Sequence, residues 1–402
     1  MDRRGAASLK PVIVKAPSKG RATDTVQGGP SPMKTTFKTL THPVTRLSAA
    51  AVVAATLAVT AVADPAAAAD RVRWQMAMGF PSTLKALADT APWMAEQVNT
   101  MSGGTMTLQV FEPGKLVKGT EIFDAVSQGK IDSGYVWAGY EIGKVPASAL
   151  FGAQPFGLAP PEMAAFMLER GGQQMMEELY AQHNIMPLFC GTISPEAAGW
   201  FTFPLESLDQ VSGLRIRFAG LGGEVLQKMD AEVTLLPGSE LFEALEKGVI
   251  DATEFSLPTV DEQLGFYKVA KFYHLPGWHQ PSTNQYLYVN LDKWNGLDET
   301  QQTILRTACT AGVAKSLARA EGLQGGVLNT FTQEHGVTAV RLPEDILMEL
   351  QAKTDEVMAE FSAKDEDFAR IWGAMKAFKD EHQAWKELGY LPNDWMTRVS
   401  GE

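Results

Sequence analysis

The chain has 402 residues, 45% of them hydrophobic and 20% charged, which is enough for two ordinary domains and matches the composition of a folded, water-soluble protein. Its 35 Lys and Arg against 47 Asp and Glu give a formal net charge of −12, which makes it a poor partner for nucleic acid or an anionic membrane surface. Enzyme signatures are missing as well: there is no GxSxG elbow, no P-loop, no HExxH and no CxxC.

In chain order, residues 1–32 are polar, basic and rich in Gly and Pro, and read as an upstream extension. From Met33 the pattern changes to Lys34, Lys38 and Arg46 followed by an Ala/Val/Leu run to Ala63, with small residues at Ala67, Ala68 and Ala69 before Asp70. Residues 33–69 are therefore read as a secretory signal peptide cleaved near Ala69, in preference to a membrane anchor over Leu47–Ala63, which is short and weakly apolar for a span. Cleavage removes nine of the 35 basic and three of the 47 acidic residues, leaving 26 against 44, a net charge of about −18.

Strand and helix signals then alternate. Val72–Gly79 predicts a strand, Leu84–Thr100 an amphipathic helix, and Met106–Phe111 a strand after the turn Ser102-Gly103-Gly104. Gly119–Ser133 (GTEIFDAVSQGKIDS) returns as Gly238–Ala252 (GSELFEALEKGVIDA), with seven identities and no gap. Each copy offers Thr120 or Ser239 as a helix cap, an acid after it, a Gly nine residues later for a left-handed helix end, and an Ile-Asp strand. A repeat of this kind predicts two related α/β lobes that face each other across a small-molecule cleft. Met186–Cys190 and Gly199–Phe203 are further strands that bracket the loop GTISPEA. Leu214–Phe218, Glu224–Met229 and Val249–Phe255 complete the second lobe.

The expected boundaries are residues 70–193 with 256–296 for the first lobe, residues 194–255 with 297–342 for the second, and 343–402 for a long C-terminal helix and tail. Chain crossings between lobes are expected near Gly191–Pro195 and just after Phe255. The stripe Leu350, Val357, Phe361, Phe368, Trp372, Met375, Phe378, Trp385 reads as core or lobe-bracing, and a helix of that length also leaves room for packing on a second subunit. Cys190 and Cys309, far apart in sequence, are expected as buried free thiols.

Recognition chemistry gathers at strand ends. Arg217 closes the strand LRIRF beside the turn Gly220-Leu221-Gly222-Gly223, and its planar fork suits a carboxylate. That turn lacks the GxGxxG order of a dinucleotide site. Glu254 stands at the strand end of the second copy, where an acid needs a cation or an Arg. Trp137, Tyr140 and Trp278 could wall an apolar ligand or pack between lobes. His274 and His279 lie near a cleft loop and read as hydrogen-bonded loop residues rather than metal ligands.

On these residues the chain resembles the extracytoplasmic substrate-binding subunit of a TRAP (tripartite ATP-independent periplasmic) transporter, over essentially all of Asp70 to Leu388. The segments GLRIRFAG, LFEALEKGVIDATEF and DEQLGFYKVAKFYHLPGWHQP are most similar to the branch that binds 2-oxo acids such as pyruvate. The resemblance implies a two-lobed α/β periplasmic-binding-protein fold with mixed sheets, a ligand cleft between lobes and a long C-terminal helix. It implies no enzymatic activity, a small organic acid as ligand, a TRAP membrane permease as partner, and a periplasmic location.

Arg217 takes the position that grips the substrate carboxylate, with Trp137, Tyr140 and Trp278 as ligand walls. A bridging Na⁺ or Ca²⁺ is implied on Glu196, Glu254, the Phe255 carbonyl and Gln280. At Glu196 the family pattern has Gln, and the added charge admits a divalent ion such as Ca²⁺. A C-terminal helix of this length is similar to the one through which some members dimerise. Two other readings stay open at this point: a secreted metal-dependent enzyme using Glu196, Glu254 and His279, and a periplasmic ligand sensor.

Overall fold

The computed structural model describes residues 71–391, so the upstream extension, the signal segment and residues 392–402 lie outside the described residues. The strands are β1 (Val72–Met78), β2 (Met106–Phe111), β3 (Ser133–Trp137), β4 (Ile185–Ile193), β5 (Gly199–Phe201), β6 (Arg215–Arg217), β7 (Glu232–Thr234), β8 (Ala252–Thr253), β9 (Phe272–Leu275), β10 (Thr283–Asn290) and β11 (Thr338–Arg341). They form two mixed sheets, in the orders β2-β1-β3-β10-β4 and β11-β9-β5-β8-β6-β7. In the first, β1 is parallel to β2 and β3, while β10 runs antiparallel to β3 and β4.

The internal repeat divides between the two sheets. The first copy forms a 3₁₀ turn at Gly119–Glu121 and the helix Ile122–Ser127, turns at Gly129 with φ +66°, and enters β3. The second forms the helix Gly238–Glu246, turns at Gly248 with φ +66°, and enters β8. Thr120 and Ser239 do not cap these elements, contrary to the sequence reading. They follow Gly119 and Gly238 inside the first turn, and the preceding positions are held by Lys118 and Pro237 without side-chain cap bonds. Pro237 presets the backbone angle and Glu240 complements the positive end of the helix, so the hydroxyl is not needed there.

Three differences from the sequence reading have physical causes. The expected helix Leu84–Thr100 begins only at Thr90 and runs to Met101. The preceding stretch instead folds into turns with Leu84 and Leu87 buried, and its backbone is held by Gln263, whose Oε1 accepts from Lys85 N (3.0 Å) and whose Nε2 donates to Thr83 O (2.9 Å). The second crossing also comes later than Phe255. The helix Pro258–Leu264 is pinned by Asp261, which accepts from Trp200 Nε1 (2.9 Å) and Tyr273 Oη (3.0 Å), so residues 256–275 stay with the second sheet through β9 and the chain crosses at 276–282. Finally, Cys190 on β4 and Cys309 on the helix Glu299–Gln333 form a disulfide rather than two free thiols. That helix lies along β4, and such a packing contact closes a sequence separation of 119 that no spacing rule reveals.

The C-terminal run is two helices, Glu344–Lys364 and Glu366–Gly389, with Asp365 capping the second through Phe368 N (2.7 Å). The first packs on the helix Gly220–Gln227 beside the second sheet, the second on the helices Ser148–Gly152 and Pro160–Glu169 beside the first. Ile346, Leu350, Val357, Phe368, Ile371, Met375 and Phe378 are buried in one cluster with residues of both lobes, so the apolar stripe braces them. Trp385 stays 59% exposed beyond that contact.

Candidate functional site

A cleft with an empty volume of about 340 Å³ opens between the two sheets. Phe80, Leu87, Trp137 and Tyr140 line it from the side of the first sheet, with Thr283 at the head of β10, and Arg217, Ala219, Glu254, Phe255 and Ser256 from the second, while Glu196 and Gln280 come from the two crossings. The crossings are tied together by backbone bonds from Glu196 N to Gln280 O (3.2 Å) and from Ala197 N to Ser256 O (3.3 Å). Gly277 makes this approach feasible, since a Cβ there would stand 2.2 Å from the Glu196 carbonyl oxygen. A side chain of any kind would push the crossings apart.

Arg217 and Glu254 sit on neighbouring strand ends, because β6 runs parallel to β8. Arg217 is 4% exposed. Its Nη1 donates to Glu254 Oε1 (2.5 Å) and to the Glu254 carbonyl (2.9 Å), and its Nε to Leu236 O (3.2 Å); the Nη2 end takes part in none of these bonds. The Phe255 ring lies 5.4 Å under the guanidinium. Ala219 N adds a second bond to Glu254 Oε1 (2.8 Å).

Glu196 is 2% exposed, and its Oε1 accepts from Ser256 Oγ (3.2 Å). Thr283 Oγ1 stands 2.7 Å from both Glu196 Oε1 and Gln280 Oε1, and its single proton serves one of them at a time. The other oxygen of each acid, Glu196 Oε2 and Glu254 Oε2, is buried without a hydrogen-bond partner. Burial raises both carboxyls, and the outcomes differ. For Glu254 burial is the largest single influence, yet the opposing groups, the Arg217 guanidinium first among them, together hold it below the usual range. Glu196 is raised well above that range by burial and by the charge of Glu254, despite the Thr283 and Ser256 bonds. Tyr140, also buried in part by the cleft, is pushed up to about 12, first by desolvation.

Of the residues singled out from sequence, Arg217, Glu196, Glu254, Phe255, Gln280, Trp137 and Tyr140 converge on this cleft, with the Trp137 and Tyr140 rings edge to face at 5.3 Å. Trp278 does not. It stacks on Phe218 (5.8 Å) within the apolar interior between the second sheet and the helix Glu344–Lys364, because the neighbouring His279 and Gln280 take the positions that face the acids. Sequence reasoning missed Phe80, Leu87, Ser256 and Thr283. Leu87 belongs to the segment mistaken for helix, and Phe80 to the short link that precedes it. Thr283 opens a polar trio, Thr283-Asn284-Gln285, at the head of an otherwise apolar strand, a signal that could have been read.

Residues 81–365 match the family described as bacterial extracellular solute-binding protein, family 7. The chain belongs to that family. Its members are binding proteins and not enzymes, which removes the metal-dependent enzyme from consideration. The chain is 32% identical to the monocarboxylate 2-oxoacid-binding periplasmic protein all3028 of Nostoc sp. (strain PCC 7120), over 86% of this chain and 96% of that one. Among solved structures it is similar to a TRAP transporter solute-binding protein of Bordetella bronchiseptica RB50, a mixed-occupancy dimer with copurified calcium and picolinate (TM-score 0.79, 29% identity, 82% of this chain and 98% of that one). A second is a TRAP periplasmic solute-binding protein of Pseudoalteromonas atlantica T6c with bound sodium and pyruvate (TM-score 0.77, 29% identity, 83% of this chain and all of that one). The two-lobed mixed α/β fold expected from the sequence is thus the fold of this family's solved members.

Proposed function

We propose that this chain captures a small organic monocarboxylate, a 2-oxo or 2-hydroxy acid, together with a Na⁺ or Ca²⁺ ion, and delivers it to the membrane permease of a TRAP transporter. One observation carries the reading: two buried carboxylate oxygens, Glu196 Oε2 and Glu254 Oε2, have no donor of their own and converge beside an Arg in an interlobe cleft. Buried acids so arranged need a cation, and a cation next to a guanidinium forms a receptor for an organic anion. The residues fit such an ion, with Glu196 and Glu254 supplying charge and Gln280 Oε1 and the Phe255 carbonyl completing an oxygen set. When bound, the ion supplies electrostatic attraction for the carboxylate and the 2-oxygen of the ligand.

In this reading Arg217 pairs with the ligand carboxylate, and Trp137 and Tyr140, with Phe80, wall its apolar part. A ligand that touches both lobes favours the closed arrangement, which is what the permease would recognise. The Cys190–Cys309 disulfide supports an oxidising compartment, in line with cleavage of the signal segment near Ala69 and a periplasmic location. A homodimer through the exposed end of the helix Glu366–Gly389, where Trp385, Leu388, Tyr390 and Leu391 lie open, belongs to the same proposal. Light scattering of a Trp385→Ser variant tests it, and a dimer that persists unchanged would move the contact elsewhere.

The main test is calorimetric titration with pyruvate, lactate and picolinate, before and after EDTA treatment in Na⁺-free buffer. Binding should weaken on ion removal and return with Ca²⁺ or Na⁺. Titrations indifferent to both ions would overturn the cation, and silence toward every carboxylate would overturn the ligand class.

A further inference from the structure

The oxygen set described above leaves one buried neighbour of the two acids without a task. His279 is 1% exposed, and both of its ring nitrogens are buried without a partner. Its Nε2 lies 3.7 Å from Glu254 Oε2 and 3.9 Å from Glu196 Oε2, the same two oxygens that lack donors. One ligand atom from each of the three residues falls within 4.8 Å of the others.

Two chemistries could put an imidazole between two carboxylates. An imidazolium paired with either acid would close to a charge-assisted hydrogen bond of about 2.7–2.9 Å. Both observed gaps are longer, by nearly the same amount. Ligands held about 2.0–2.2 Å from a shared small ion, by contrast, stand roughly 3–4 Å from one another. The spacing is therefore suited to an ion rather than to a proton.

The ring is also fixed in place. It packs edge to face against Phe218 (4.5 Å) and Trp278 (5.6 Å), and the approach of its loop to Glu196 is enabled by Gly277. The ring is buried with no freedom to turn toward solvent, so its Nε2 stays beside the two acid oxygens.

We propose that His279 contributes an imidazole nitrogen to the cation site beside Glu196 and Glu254, and that this nitrogen biases the site toward a borderline divalent ion, Zn²⁺ first among them, over Na⁺ and Ca²⁺. The inference rests on the cation reading given above. Na⁺ and Ca²⁺ favour all-oxygen surroundings, whereas a set of two carboxylates and one imidazole suits Zn²⁺ and its neighbours in the first transition row. Two acid side chains also balance a divalent charge in a buried site better than a monovalent one.

The test uses the full secreted chain, stripped with EDTA and titrated calorimetrically with Zn²⁺, Ca²⁺ and Na⁺ separately, without any organic acid. Zn²⁺ should bind at least about tenfold more tightly than Ca²⁺, and His279→Gln should weaken Zn²⁺ about tenfold or more while Ca²⁺ moves only about twofold. Pulsed electron paramagnetic resonance of the Cu²⁺-loaded wild type should show imidazole ¹⁴N modulation that His279→Gln removes, and this measurement stands on the wild type even if the variant folds poorly. Equal losses for Zn²⁺ and Ca²⁺, no Zn²⁺ preference, or no modulation attributable to His279 would overturn the assignment. A protein that binds Ca²⁺ and pyruvate normally yet fails these criteria would overturn the role of His279 alone. A protein that binds no ion at all would overturn the cation reading with it.

Discussion

Two buried acid clusters in this chain follow opposite rules. Beneath the first lobe, Glu141 is 3% exposed, and its Oε1 accepts from Tyr180 Oη (2.7 Å) and from Tyr288 Oη, while the two hydroxyls meet each other at 2.9 Å. None of these three side chains holds a buried polar atom without a partner. Around the cleft acids, Glu196, Glu254 and His279 together hold four such atoms. Glu141, which serves packing, has donors from its neighbours, because an unmade hydrogen bond in a core costs free energy with nothing in return. Acids that serve a ligand are left short, and the ligand supplies what is missing.

Four outcomes would break or sharpen that contrast. Arg217→Ala should lower affinity for the organic acid by on the order of 100-fold or more, since it removes one half of a buried charge arrangement. It should also cost about 3–5 kcal/mol of stability by stranding Glu254, so calorimetry is paired with a thermal melt, and wild-type affinity in a folded variant would remove Arg217 from the site. Glu196→Gln should weaken Ca²⁺ about tenfold and leave Na⁺ nearly unchanged, because divalent affinity follows the count of charged oxygens. Parallel losses for the two ions would show that Glu196 acts through shape and not charge.

Gln263→Ala should have a smaller effect, about three- to fivefold, from the loss of bonds that join the helix Pro258–Leu264 on the side of the second sheet to the Thr83–Lys85 backbone on the side of the first. Stopped-flow kinetics should find that change in the off-rate, and an effect confined to the on-rate would refute a clasp. Glu141→Gln should leave binding within about twofold, because its cluster is already satisfied. It should, however, alter the pH profile of stability. Burial pushes the Glu141 carboxyl from 4.5 up to about 8 against the lowering effect of the tyrosine hydroxyls and Lys144. The folded state then keeps a proton that the unfolded state has lost, so its contribution is complete below about pH 4.5 and declines as pH rises to about 8. Melting curves across that window should flatten in Glu141→Gln, and an unchanged slope would mean that another group sets it.

How much of this was legible depends on the range of the signal. Arg217 and Glu254 were readable because each closes a short strand whose apolar alternation is local, and the repeat told which strands are equivalent. Trp278 was misread because its neighbours decide which of three successive residues turns toward the cleft, and alternation gives no such order in a segment without regular structure. His279 was read as a hydrogen-bonded loop residue, although the partners it meets are Glu196, 83 positions earlier, and Glu254. Leu84–Asp89 has helical composition, yet bonds from Gln263, nearly 180 positions away, hold it in turns.

The sequence by itself determined the two lobes, the strand-end Arg and Glu, and the apolar stripe of the C-terminal helices, because periodicity and the duplicated helix–Gly–strand pattern are set by residues within a turn or two of one another. Only the tertiary structure decided the disulfide, the late second crossing, and which acid oxygens and ring nitrogens remain without partners. Those depend on whether distant backbones approach within a few ångströms, and closing such distances is the work of packing the whole core, to which no local pattern has access.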